Sequence, residues 1–156
     1  MNKKIIVNTK EKKYTIKINN NLILNRLKKI SNNKSKLFII IDTSVNYLLD
    51  NLNLSKNVCI IKIKGSEKIK DFKSYIYITK KILNNKVNRN STIIAIGGGT
   101  IGDLSGFIAS TILRGINYIL VPTTLLSLVD SSIGGKNGIN SIYGKNLIGT
   151  FYQPDT

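Results

Sequence analysis

The sequence predicts an α/β protein, a mainly parallel sheet flanked by helices with an antiparallel hairpin at its amino end. Three observations carry that expectation. Short apolar runs at 36–42, 57–63, 92–96 and 117–121 are separated by segments with helical apolar spacing, and the order strand, helix, strand, helix builds a parallel sheet with right-handed crossovers. The runs are compact and apolar, as buried strands are. Ahead of them, 3–9 and 12–18 have strand-like content, and Tyr14, Ile16 and Ile18 alternate with polar residues as in a half-buried antiparallel pair.

Taken in order, 21–30 carries apolar residues at 22, 23, 27 and 30, which is helical spacing. Strand 36–42 ends in Asp42, on the edge where open α/β sheets bind ligands; Asp42 or Thr43 can also cap the following helix, 44–52. After strand 57–63 come Gly65-Ser66-Glu67-Lys68-Ile69-Lys70, with Ser66 as the N-cap of a helix whose apolar positions are 69, 72, 76, 82 and 83. By residue type alone, Glu67 and Lys70 are solvated charges at a lysine-rich helix start.

Strand 92–96 runs into Gly97-Gly98-Gly99-Thr100-Ile101-Gly102-Asp103 and then an apolar-periodic helix. Glycine lets the backbone approach a phosphate without a side chain in the way, and a helix start adds unpaired N–H groups and the positive end of its dipole. Gly97-x-Gly99-x-x-Gly102 has the letters of the Rossmann-like dinucleotide fingerprint. That fingerprint belongs to a first βαβ unit and expects an acid about 20 residues on, where this chain has Thr123. Alone, the match is equally a tight strand-to-helix turn. Strand 117–121 is followed by Pro122-Thr123-Thr124, whose hydroxyls can bond a cofactor or cap a helix running through Leu125, Leu126 and Leu128.

Composition narrows the class. A chain of 156 residues with 42% hydrophobic content suits one α/β domain over 1–156, and no apolar run approaches the roughly 18 residues needed to span a bilayer. The basic start is followed by only three apolar residues, too few for a secretory signal, and the one cysteine, Cys59, lies in an apolar run, so the cytoplasm is the expected compartment. Net charge is +16, and all of it resides in residues 1–90, where 21 Lys and Arg face 5 acids. The lysines are scattered with few aromatics among them, which fits a solvated surface better than a nucleic-acid groove. A basic nucleic-acid-binding remnant without catalysis is the competing expectation from another class.

From residue 97 on, the chain reads GGGxxGDLxGF, RG, VPTTLL, VDSSxGGK and GKNxIGxFYQP, in that order. This series resembles the NAD-binding half of the 3-dehydroquinate synthases. The resemblance implies a lyase of the shikimate pathway that converts 3-deoxy-D-arabino-heptulosonate 7-phosphate to 3-dehydroquinate and phosphate, with NAD consumed and regenerated in each cycle. It implies that Gly98, Gly99, Thr100, Ile101, Gly102 and Asp103 lie along the cofactor, joined by Thr123, Thr124, Lys136 and Lys145. Asp103 would repel a phosphate and is assigned to hydroxyl or amide contacts. Glu67 and Lys70 match an E-x-x-K pair that holds the adenosine ribose, placing Gly65, Ser66, Lys68 and Ile69, with Asp42, beside the same cofactor. Arg114, Asp130, Lys136 and Asn146 are the implied catalytic and substrate-binding residues: a fork for an anionic oxygen, an acceptor for hydroxyl protons, a point charge and an amide.

The family also uses a divalent metal, zinc or cobalt, held by one Glu and two His in a second, helical domain. This sequence contains no His, so metal ligands are expected to be absent, and the chain is expected to be an amino-terminal part, inactive alone, with a separate carboxyl-terminal half as a partner. Members are usually homodimers. A metal-dependent polyol dehydrogenase of the glycerol type shares the glycine-rich architecture and is the nearer alternative, against which VDSSxGGK and GKNxIGxFYQP speak. No nucleic acid or membrane partner is expected.

Overall fold

Five consecutive apolar residues, Leu37 to Ile41, are almost wholly buried, which demands cover on both faces of the strand they form. A computed structural model describes residues 3–9, 12–19, 27, 35–50 and 52–156. Eight strands run in order: β1 (Lys3–Asn8), β2 (Lys13–Ile18), β3 (Leu37–Asp42), β4 (Val58–Ile63), β5 (Thr92–Gly97), β6 (Asn117–Pro122), β7 (Lys136–Ser141) and β8 (Gly144–Phe151). The α-helices with described bounds are α1 (Phe72–Asn84), α2 (Gly99–Thr111) and α3 (Leu125–Val129). Among the described residues no helix is long and apolar enough to cross a membrane.

The central sheet is parallel in the order β4-β3-β5-β6. One face packs Phe38, Ile40, Ile93 and Ala95 under α1 and α2; the other packs Ile39, Ile41, Ile94 and Ile96 with Leu49 and Leu27. Each isoleucine so buried contributes about 2–3 kcal/mol of transfer free energy. Connections leave β3 in one direction and β5 in the other, so the strand order reverses between them. In such sheets the crevice at that reversal, outside the carboxyl ends, is where ligands bind. Here those ends are Asp42 and Gly97.

The expected amino-terminal hairpin forms between β1 and β2, with Tyr14 buried and Ile5, Ile6 and Ile18 about half exposed. The helix expected at 21–30 lies outside the described residues, Leu27 excepted. The helix expected at 44–52 is a 3-10 helix, Thr43–Leu49, kinked at Val45 and capped as expected by the Asp42 carboxylate, which accepts from the Ser44 N–H at 3.0 Å.

Two expectations need correction. Ser66 makes no side-chain cap: a 3-10 turn, Glu67–Ile69, intervenes, and α1 starts after Asp71, whose carboxylate accepts from the Ser74 N–H at 2.8 Å. The buried stripe of α1 is Tyr75, Ile78 and Ile82, while Phe72, Ile76 and Leu83 are exposed. Those two stripes lie roughly 110° apart round the helix, and contact with the sheet chose between them. The second hairpin, β7 with β8, was not expected either. Its strands are rich in Gly, Asn and Lys, with Ile139 as the one fully buried apolar side chain, and packing on α2 holds what propensity does not.

Beyond β8 the chain returns to the sheet. The Asp155 N–H donates to the Tyr118 carbonyl at 2.7 Å and the Leu120 N–H to the Thr156 carbonyl at 3.0 Å, which covers the free edge of β6.

Candidate active site

Gly97 ends β5 and Gly98 is the N-cap of α2, with no side chain capping it. The first turn of α2 therefore points uncapped N–H groups out of the carboxyl edge of the sheet. A β-carbon on Gly99 would stand 3.1 Å from the Ser131 Oγ, so this turn faces the loop after α3 across a narrow gap. Thr123 donates its N–H to the Gly97 carbonyl at 2.9 Å. Thr124 caps α3 in a reciprocal pair with Ser127, and its side chain lies against Gly98. The Ile101 side chain is buried in the core, which leaves only its backbone for a ligand. Tyr118, fully buried, donates to the Gly102 carbonyl at 2.9 Å and fixes the same turn from below.

Across the reversal, the Asp42 carboxylate folds against Gly65, where even a β-carbon would come within 2.0 Å of its Oδ2. The loop that follows is far from a row of solvated charges. Lys70 is only 3% exposed; its Nζ donates to the Asp103 Oδ2 at 2.6 Å and to the Asn146 Oδ1 at 2.5 Å. Glu67 accepts from the Asn140 side-chain amide at 2.8 Å. Ser66 and Lys68 are exposed and Ile69 packs on the core.

Between the loop after α3 and the β7–β8 hairpin, with Asp103 of α2 on its wall, opens a cleft of about 570 Å³. Asp103, Asp130, Lys136 and Asn146 line it together, with Ser131 on the wall facing the glycine turn. Burial raises the Asp103 carboxyl above its usual 3.8, the nearby Glu67 and Asp130 add to the rise, and the Lys70 hydrogen bond and charge offset part of it. The site thus offers a cation at Lys136, two carboxylates and an amide around one volume. Such a set can hold a phosphate and several hydroxyls at once.

Lys145 is exposed on β8 beside Asn146. Arg114 is not brought to this cleft. It follows the far end of α2, about 20 Å of helix from the glycine turn, at the amino edge of the sheet and with φ +66.

Four further residues build the site. Asn137 donates its amide to the carbonyls of Gly135 at 2.7 Å and Tyr152 at 2.9 Å, and Gln153 donates to the Gly134 carbonyl at 3.2 Å, so the loop leading to Lys136 is held by the chain after β8. Tyr152 donates to the Ile116 carbonyl at 2.8 Å. Asn140 joins the hairpin to Glu67. Tyr152 and Gln153 lay inside a motif visible in sequence, but nothing there distinguished a buttress from a ligand.

A family model described as 3-dehydroquinate synthase N-terminal matches residues 60–156. A relative from Pelagibacter ubique (strain HTCC1062) named 3-dehydroquinate synthase is 48% identical over 158 residues, covering 97% of this chain and 43% of its own length. Among solved structures, 2-deoxy-scyllo-inosose synthase superposes with a TM-score of 0.82 at 26% identity, over 97% of this chain and 45% of that one. A 2-epi-5-epi-valiolone synthase from Streptomyces hygroscopicus subsp. jinggangensis 5008, solved with NAD+ and Zn2+ bound, gives 0.71 at 25% identity, over 86% of this chain and 38% of that one. The chain spans less than half the length of the curated relative it matches. By its sequence over more than half its residues and by its fold, the chain belongs to the 3-dehydroquinate synthase family, over the family's N-terminal region.

Proposed function

We propose that this chain is the NAD-binding part of a 3-dehydroquinate synthase acting on 3-deoxy-D-arabino-heptulosonate 7-phosphate. The observation that carries the reading is that the uncapped glycine turn of α2 and the cleft holding Asp130, Lys136 and Asn146 share one wall, Asp103 with Lys70 behind it. A dinucleotide fits the first part: the Gly98–Gly99 turn leaves room beside Ser131 that a side chain would fill, and its free N–H groups suit a pyrophosphate. In this reading Glu67 and Asp42 supply the carboxylate acceptors for ribose hydroxyls.

NAD, when bound, supplies reversible hydride acceptance from a carbinol carbon. The protein's residues bind and orient. Lys136 attracts the substrate's anionic group, Asp130 and Asn146 accept and donate to its hydroxyls, and Asp103 holds the wall between substrate and cofactor. Lys145, exposed on β8, completes the cofactor side of this reading. Arg114 has no role in the cleft of its own chain.

The described residues do not fit a divalent metal. Among the described residues no three His, Cys, Asp or Glu side chains come together to hold one, and no step is derived through it. The rim of the cleft is apolar and exposed at Leu126, Val129, Ile133, Leu147 and Phe151. We assign that rim to the polypeptide corresponding to the relatives' remaining length, which would bring the metal ligands.

NAD should raise the melting temperature by about 5–10 °C at a hundredfold excess over Kd. Gly99→Val should abolish that rise while leaving the unliganded melting temperature within a few degrees. Phosphate release from the sugar phosphate should require the added remaining half and zinc. No NAD-dependent rise in the native chain would refute the reading.

A further inference from the structure

The β7–β8 ladder is regular up to Ile139 and resumes at Ser141, and the register shifts between them. The shift sets Asn140 of β7 opposite three residues of β8, Lys145, Asn146 and Leu147. Such an irregularity disrupts the ladder locally, and at this break both the backbone N–H and the side-chain amide of Asn140 turn toward the loop after β4. Its N–H donates to the Lys70 carbonyl at 2.6 Å and its side-chain amide donates to the Glu67 Oε1 at 2.8 Å. Its remaining group, Oδ1, faces back into the hairpin and accepts from the Asn146 N–H at 2.9 Å.

That last bond has a particular recipient. Asn146 has φ +57, a left-handed conformation that asparagine adopts more readily than most L residues because its short side chain can hydrogen-bond locally. In that conformation the Asn146 Oδ1 accepts from the Lys70 Nζ at 2.5 Å while the residue lines the cleft. Three contacts close a ring, Asn140 to Asn146, Asn146 to Lys70, and Lys70 back to Asn140 through its carbonyl, and the bond from Asn140 to Glu67 ties the start of the loop to it. The bonds to Glu67 and to Lys70 cross between the loop and the hairpin, and the bond to Asn146 lies within the hairpin.

The geometry points to Asn140 as a positioning residue that couples the Glu67–Lys70 loop to the cleft wall bearing Asn146, so that a dinucleotide held by the loop orders the wall that receives the substrate. The inference rests on the proposed cofactor role of that loop. It adds that binding at one part is felt at the other through one side chain. Asn140 itself touches neither ligand. Lys136, on the same hairpin but before the bulge, stands outside the ring.

Amide hydrogen exchange by NMR on the 156-residue chain tests the coupling, first without ligand. Asn140→Ala should speed exchange at Ile69 and Lys70, whose own N–H partners it does not touch, by about tenfold. Glu67→Ala, an exposed substitution that leaves the hairpin intact, should speed exchange at Asn146 by a similar factor although the two residues share no contact. Glu67→Gln with Asn140→Asp, which reverses donor and acceptor across the link, should restore both sites toward the native rates; a role in packing alone gives no such rescue. NAD is then added. In the native chain it should protect Asn146 and Leu147, and in Asn140→Ala it should still bind by calorimetry without protecting them. Unchanged exchange at Lys70 in Asn140→Ala together with unchanged exchange at Asn146 in Glu67→Ala overturns the coupling, as does undiminished NAD protection in Asn140→Ala. No heat of NAD binding to the native chain overturns the cofactor reading instead, and the ligand-free exchange still decides the link.

Discussion

Lys70 keeps its ammonium where almost no water reaches it, and its anionic partner among the described residues, Asp103, is itself partly open to the cleft. A buried charge left without its partner costs more than the pair contributes. Asp103→Ala should therefore lower stability by about 2–3 kcal/mol in urea unfolding, and Lys70→Met with Asp103→Asn should recover most of that loss, because the orphaned charge is gone. Burial outweighs Lys70 at the Asp103 carboxyl, which titrates above 3.8. A carboxyl raised on folding stabilises the fold fully below its unfolded pKa and loses that contribution as pH rises through the higher folded value. Carboxyl NMR should place its midpoint above 3.8, and a midpoint at or below that would mean that the ion pair wins. Residue types alone read Lys70 as one more solvated lysine among many. Its burial depends on a carboxylate 33 positions away and an asparagine 76 away, and no local pattern signals either.

At the scale of elements, α2 does two jobs: its start is the glycine turn, and its flank carries the β7–β8 hairpin. Gly106 is the point of closest approach, since a β-carbon there would lie 1.8 Å from the Asn137 Oδ1. Gly106→Ala should cost about 2–3 kcal/mol by forcing β7 off the helix, and should weaken NAD binding less than binding of the sugar phosphate, because the hairpin and not the turn is displaced. Thermal unfolding with calorimetry of each ligand separates the two effects. The parallel strands were legible because each is a dense apolar run. The second hairpin was not, because glycine and asparagine carry little strand preference and it persists through packing on α2. The start of α1 slipped for a related reason: Ser66 and Asp71 both have capping side chains, and only the position of the loop against the hairpin selected Asp71.

Across the whole molecule, charge and chemistry are segregated. The excess of lysine belongs to residues 1–90, while the cleft residues belong to the neutral remainder, apart from the Glu67–Lys70 loop and Asp42. The amino-terminal hairpin is pinned to Asp155 by a Lys12–Asp155 ion pair, and to the loop before Lys136 by Tyr14, which donates to the Ser132 carbonyl at 3.0 Å. Both ends of the chain thus support the loop that leads into Lys136. A surface charge of this kind attracts polyanions without a dedicated site. Duplex DNA should leave the melting temperature unchanged at 0.15 M salt while NAD raises it, and any binding at low salt should fall with a slope of about −0.9 per phosphate neutralised. A salt-resistant rise with DNA would favour a nucleic-acid partner.

The sequence by itself determined the parallel core, the amino-terminal hairpin, the glycine turn at the sheet edge and the family, since each is written in residues adjacent along the chain. Only the tertiary structure decided that Lys70 is buried, that Arg114 stands at the opposite edge, and that Asn140 ties the Glu67–Lys70 loop to Asn146 of β8. Those outcomes depend on contacts between segments tens of residues apart, where packing and charge pairing override what each segment prefers alone.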